Sequence, residues 1–232
     1  MGVAYNEDET VEQLKSWWQR YGTPALFSVA IVTLAFAGWN WWSGKRLTDA
    51  GAAQVLQQQM IIAMQRVSGN PDDKAANTDL QRIGHQIIDD YGSTPYAVDA
   101  AMLLARRAVE GNDLAEAVKQ LQWALDNAGT NETEMLIKTR LARVLVAQKK
   151  SDEALALLKD VNDPGLAPLV DEIRGDIYLG KGDRAKAADA YRAADAALAA
   201  RDEARPVLDL KLADVGLLPA KRQSQAGEAS AQ

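Results

Sequence analysis

Cysteine is absent from this chain, and histidine occurs once, at His85. The first absence excludes disulfides, zinc–thiolate sites and thiol catalysis. The second confines the most common general base and metal ligand to one position, and a lone histidine on a helix reads as a surface residue. No glycine-rich phosphate loop, G-x-S-x-G elbow or H-E-x-x-H pair occurs. Adjacent acids such as Asp72-Asp73 and Asp89-Asp90 point apart on a helix, so they do not pair for acid–base work. The chain therefore reads as non-enzymatic, with no catalytic residue, cofactor or metal site expected. Basic charge is also short: 26 Lys and Arg stand against 32 Asp and Glu, a formal net charge of −6. Nucleic-acid binding wants a basic stripe, so no nucleic-acid partner is expected. The period-2 alternation of strands is missing as well. Ala, Leu, Gln, Glu and Lys dominate, and the expected fold class is all-α.

Against these absences stands one long apolar run. From Gly22 to Trp42 there is no charged residue. As a helix this run would be about 32 Å long, enough to cross a bilayer core of roughly 30 Å. Trp17 and Trp18 precede it, and Trp39, Trp41 and Trp42 lie at its exit, so five of the six tryptophans collar one segment. Indole has an apolar body and one polar N–H, which suits the headgroup level, and these five are read as membrane-interface anchors. A cleaved signal peptide would need a basic lead, whereas Glu7, Asp8, Glu9 and Glu12 outnumber Lys15 and Arg20. Residues 1–20 read as a short polar head with an amphipathic helix started by a Thr10…Gln13 capping box, and 21–43 as a transmembrane helix. A break at Gly22 with a restart at Thr23-Pro24, or one helix kinked at Pro24, fits equally well. Two Lys/Arg flank each end, so charge leaves the orientation open.

Residues 44–92 read as lead-in helices, over 47–68 and 77–91. From Pro95 the chain repeats. Ala105, Ala142 and Gly175 are spaced by 37 and 33, and the same spacings relate Ala117, Ala154 and Ala187. They recur at Leu121, Leu158 and Tyr191, and at Ala124, Val161 and Ala194. Each unit is helix, polar turn, helix, which is the tetratricopeptide period. Residues 93–214 are thus expected to form a tetratricopeptide-like solenoid closed by a capping helix over 206–214. Residues 215–232, polar from Pro219 on, are expected to be a disordered tail. In such arrays the first helix of each unit lines the concave face. Projecting those positions here gives a partner-binding groove of Met102, Arg106, Leu136, Arg143, Leu169, Asp176 and Leu179. Arg106 and Arg143 occupy equivalent places and could hold a partner carboxylate; the alternative is two solvated surface arginines.

The order of parts resembles a known family. An acidic head and QLKSWWQRYG precede one apolar span and a Trp-rich exit. Degenerate repeats follow, containing LARV (Leu141 to Val144) and DEIRGDIYLGKGD (Asp171 to Asp183), then a short helix with LDLKL (Leu208 to Leu212). This layout is similar to the YfgM family of ancillary SecYEG translocon subunits. The resemblance covers the chain to about Leu218. It implies a single-pass protein of the bacterial inner membrane with a cytoplasmic N-terminus and a periplasmic repeat domain. It also implies partnership with SecYEG, the periplasmic chaperone PpiD and exported client proteins, in a chaperone-like role. A self-associating scaffold of the inner membrane is the alternative, although the span lacks G-x-x-x-G.

Overall fold

The computed structural model describes residues 7–219. The chain divides into two compact units between Ala52 and Ala53, and each is taken by itself.

Helix α1 (Glu7–Gly69) runs for 63 residues. The sequence left a break at Gly22 or a helix continuing through Pro24 equally open and suggested a separate helix from Leu47; the backbone stays helical through Gly22, Pro24 and Leu47. Thr10 is inside the helix and not its cap. Gly22 seats a ring rather than breaking the helix: a Cβ there would lie 2.9 Å from the Trp18 indole one turn back. In the first unit the apolar side chains of the span face outward all round. Phe27, Ile31, Val32, Leu34 and Phe36 are all largely exposed. The helix is long and apolar enough to cross a membrane. An all-round apolar surface suits a lipid environment.

The second unit contains the rest of α1 and eight further helices among the described residues. These are α2 (Lys74–Tyr91), α3 (Pro95–Glu110), α4 (Leu114–Asp126), α5 (Asn131–Ala147), α6 (Ser151–Leu158), α7 (Ala167–Gly180), α8 (Arg184–Ala199) and α9 (Pro206–Asp214). No strand occurs among the described residues. α2 begins three residues earlier than its apolar pattern indicated, because the Asp73 carboxylate caps it, accepting the Ala76 N–H at 2.9 Å. Neighbouring helices pack in order: α2 on α3, α3 on α4, α5 on α6, α7 on α8, with α4 meeting α5.

The repeat positions are the core of this stack. All three copies of each recurring position are buried, from Ala105, Ala142 and Gly175 to Ala124, Val161 and Ala194. The backbone carries the same period. Asn112, Lys149 and Gly182 have φ of 61°, 61° and 79°, and they share the 37 and 33 spacing. In each turn the left-handed residue donates three back (Asn112 to Val109, Lys149 to Val146, Gly182 to Leu179). The residue after it donates five back (Asp113 to Ala108, Lys150 to Leu145, Asp183 to Tyr178). Asp113 and Asp183 then cap the second helix of their units through the N–H groups of Glu116 and Lys186. Lys150 stands at the corresponding place and cannot accept, and the helix it opens, α6, has only eight residues.

One part of the tail expectation is corrected. Val215 and Leu217 pack against the apolar cluster of Tyr191, Leu198, Leu208 and Leu212, and Pro219 is buried. The ordered chain thus continues past 214, because α9 offers an apolar face that its following turn covers. Residues 220–232, expected to be disordered, lie outside the described residues.

The crossing of α7 and α8 is close. A Cβ on Gly175 would stand 2.3 Å from the ring of Tyr191, which is fully buried. Gly175→Ala should destabilise residues 47–232 by roughly 2 kcal/mol through overpacking. For a domain of this size that lowers Tm by roughly 4–8 °C in a circular-dichroism melt. Ala187→Leu, at a site with no exposure, should do the same. An unchanged melt in both would place the crossing elsewhere.

Candidate partner-binding cleft

Helices α3 and α5 are the first helices of consecutive units, and both pack on α4. The side chains between them leave a cavity of about 530 Å³. α3 contributes Asp99, Met102, Leu103, Ala105, Arg106 and Val109, α4 contributes Leu121, and α5 contributes Arg140, Arg143 and Val144. The three- and four-residue spacings put each set on one helix face. The floor is apolar and the rim holds three guanidinium groups against one carboxylate. Pockets of this size with a few convergent polar groups are the usual form of binding sites.

The rim arginines differ in how they are held. Arg106 Nε donates to Glu110 Oε1 one turn on, at 2.9 Å, and its side chain is 66% exposed. Arg140 Nη1 lies 3.5 Å from Met102 Sδ across the cleft. Arg140 forms no ion pair within 4 Å among the described residues; it lines the cavity together with Asp99, whose carboxylate feels its charge. Arg143 reaches the other way, 3.7 Å from Glu172 Oε1.

Of the seven groove residues projected from the repeat pattern, Met102, Arg106 and Arg143 come together here. Leu136, Leu169, Asp176 and Leu179 are not among the lining residues. Leu169 packs on the main core and Leu179 on the second apolar cluster. Asp176 is engaged within the fold: Lys211 Nζ donates to it at 2.7 Å and the Tyr191 hydroxyl at 2.8 Å. Asp99 and Arg140 were missed. The projection used one helix position per turn, whereas the cleft uses two adjacent rows of α3 and α5. The five tryptophans expected to be interface anchors all lie on the outside of α1, Trp17 50%, Trp18 55%, Trp39 65%, Trp41 71% and Trp42 43% exposed. His85 is exposed and borders a shallow polar depression with Asp113, Glu116 and Lys119.

Beside the cleft sits a buried ion cluster that the sequence did not suggest. The Glu172 side chain on α7 is 4% exposed. It accepts from Arg205 Nη1 at 2.5 Å and Lys211 Nζ at 2.7 Å, both brought by the C-terminal cap. Lys211 bridges on to Asp176, so one ammonium ties two turns of α7 to α9. Burial on its own would raise the Glu172 carboxyl, but the hydrogen bonds from Lys211 and Arg205 outweigh it and hold it below its ordinary 4.5. Burial, with Asp176 adding to it, raises the Tyr191 phenol far above its usual value, so it stays a donor.

Comparison with known proteins shows where this architecture belongs. A tetratricopeptide repeat-like domain family model matches residues 15–217. A protein of Escherichia coli strain K12, an ancillary SecYEG translocon subunit, is 30% identical over 83% of this chain and 89% of its own length. The chain belongs to the YfgM family. Relatives of the same description from Haemophilus influenzae and Neisseria gonorrhoeae are 24% and 23% identical, over 84% and 91% of this chain and 91% and 98% of their own. No solved structure matches the chain. The match runs through the span and the repeats together, which the family shares as one unit.

The buried carboxylate gives a pH dependence. A carboxyl lowered on folding stabilises fully above its unfolded value of 4.5, and that contribution is lost as pH falls through the lower folded value. Thermal melts should therefore be flat from neutral pH down to about 5 and decline below 4.5. Glu172→Gln should lower Tm at neutral pH, by roughly 3 kcal/mol of stability, since it leaves two cations facing an uncharged amide. It should also flatten the acid limb. A wild-type acid limb in the variant would mean that other carboxylates carry it.

Proposed function

We propose that this chain is a membrane-anchored binding module that works beside the SecYEG translocon. The segment before the span lies in the cytoplasm, the repeat domain lies in the periplasm, and exported chains are bound there in a chaperone-like role with PpiD. The family membership across span and repeats carries this reading. The cleft supplies a physical means. An emerging chain is unfolded and exposes apolar side chains, which the floor of Met102, Leu103, Val109 and Val144 can cover. The rim arginines would bind acidic side chains and fix the segment's direction. The two-helix layers give that cleft a preformed shape, which lowers the ordering cost of binding.

Protease added to spheroplasts should degrade the repeat domain, and full protection would reverse the topology. For the cleft, Arg106→Glu with Arg140→Glu is a cleaner test than any change at Arg143, whose reversal would set a second carboxylate beside buried Glu172. The double variant should keep its helical spectrum and melt, since exposed charges shift stability by no more than about 0.5 kcal/mol. Like-charge juxtaposition should remove most recovery of translocon or client proteins in a mild-detergent pulldown. Lys119→Glu with Lys159→Glu, away from the cleft, should leave recovery intact. Equal recovery by both double variants would move the contact away from the cleft.

A further inference from the structure

The exit of the apolar span carries a feature that binding of exported chains does not use. Trp39, Trp42 and Arg46 follow at three and four residues, so they share one helix face. The two indoles stand 5.4 Å apart, centroid to centroid, and the Arg46 guanidinium lies 4.1 Å from the Trp42 ring. Lys45 lies 6.0 Å from the Trp41 ring, on the neighbouring face. Neither cation forms an ion pair within 4 Å among the described residues, and the one carboxylate a turn away, Asp49, leaves the exit with a net positive charge. Below this pair a shallow groove runs along the helix, floored by Ala35 and Gly38 and walled by Leu34, Trp39 and Trp42. A Cβ on Gly38 would meet nothing within 4 Å.

We propose that this face is a binding site for one anionic phospholipid, its phosphate on Arg46 and Lys45 and one acyl chain in the Gly38 groove. The dimensions agree. Leu34 to Arg46 spans about 18 Å at 1.5 Å per residue, close to the roughly 15 Å of one leaflet's hydrocarbon. A guanidinium resting on a ring keeps its N–H donors at the edge, where they can take a phosphate. Two cations against the single carboxylate of Asp49 leave a net positive charge, which favours a headgroup with net negative charge over a zwitterionic one. The groove suits an acyl chain better than a neighbouring helix. Close helix approach needs small residues along the contact, and here two indoles stand beside the glycine. The site rests on α1 being the membrane span. It is confined to the helix exit and asks nothing of the acidic repeat domain.

Quenching of tryptophan by brominated acyl chains tests this on the full chain, with Trp17, Trp18 and Trp123 changed to Phe so that the exit trio reports. Vesicles hold phosphatidylglycerol and phosphatidylcholine in equal amounts, brominated on one lipid or the other. Quenching should be at least about twofold greater with bromine on the phosphatidylglycerol. Lys45→Gln with Arg46→Gln should equalise the two. Gly38→Leu, which fills the groove and keeps both cations, should also weaken the preference. Equal quenching in the unaltered exit, or a preference that survives both variants, overturns the site. So does energy transfer between labelled copies with no lipid preference, which assigns the groove to a second copy. No quenching by either lipid would instead sink the reading of α1 as the membrane span.

Discussion

Close approach of helices within each repeat unit is the constraint on which the domain depends. Two helices can share one buried face only where the side chains at their crossing are small. Ala105, Ala142 and Gly175 meet that need on the first helices, and Ala117, Ala154 and Ala187 on the second. Tyr191 shows the same constraint from the other side: its ring occupies the room that Gly175 leaves. The layers then stack through Leu121, Leu158 and their neighbours. Once each pair is pinned, the space between first helices of successive units is no longer adjustable, and the α3–α5 cleft is what remains.

The C-terminal end of the stack is held in a different way. An end layer has no next unit to bury its apolar face. α9 covers it with Leu208 and Leu212, and the ion cluster at Glu172 and Asp176 sets the register of that cover. A buried carboxylate with two close cations is weak evidence of stability but a strong demand on geometry. Arg143 belongs to both the cleft rim and this cluster. A change there alters the cap as well as the cleft, so the two cannot be varied independently at that residue.

The membrane segment follows separate physics. Its apolar surface faces outward all round, and its ends carry tryptophan. At the exit, Lys45 and Arg46 lie against the rings of Trp41 and Trp42.

Much of this was legible in the residues alone. The uncharged run with its tryptophan collar, the all-α composition and the 37 and 33 spacings all follow from local pattern, because a helix repeats every 3.6 residues and a unit repeats its small positions. The turns were visible as polar breaks, and the resemblance to the YfgM family came from the order of these parts. Other features depended on the tertiary structure. A lone Gly or Pro either breaks or merely kinks a helix, so the sequence left open whether Gly22 and Pro24 break α1, and the structure keeps it helical. Asp176 read as a groove residue because its helix position matched. Only the packing of α9, which brings Lys211 from 35 residues away, turned it into part of a latch. Glu172, Arg140 and Asp99 carried no signal for the same reason: their roles are set by partners distant in sequence, and a periodic pattern records which face a residue occupies but not what stands opposite it.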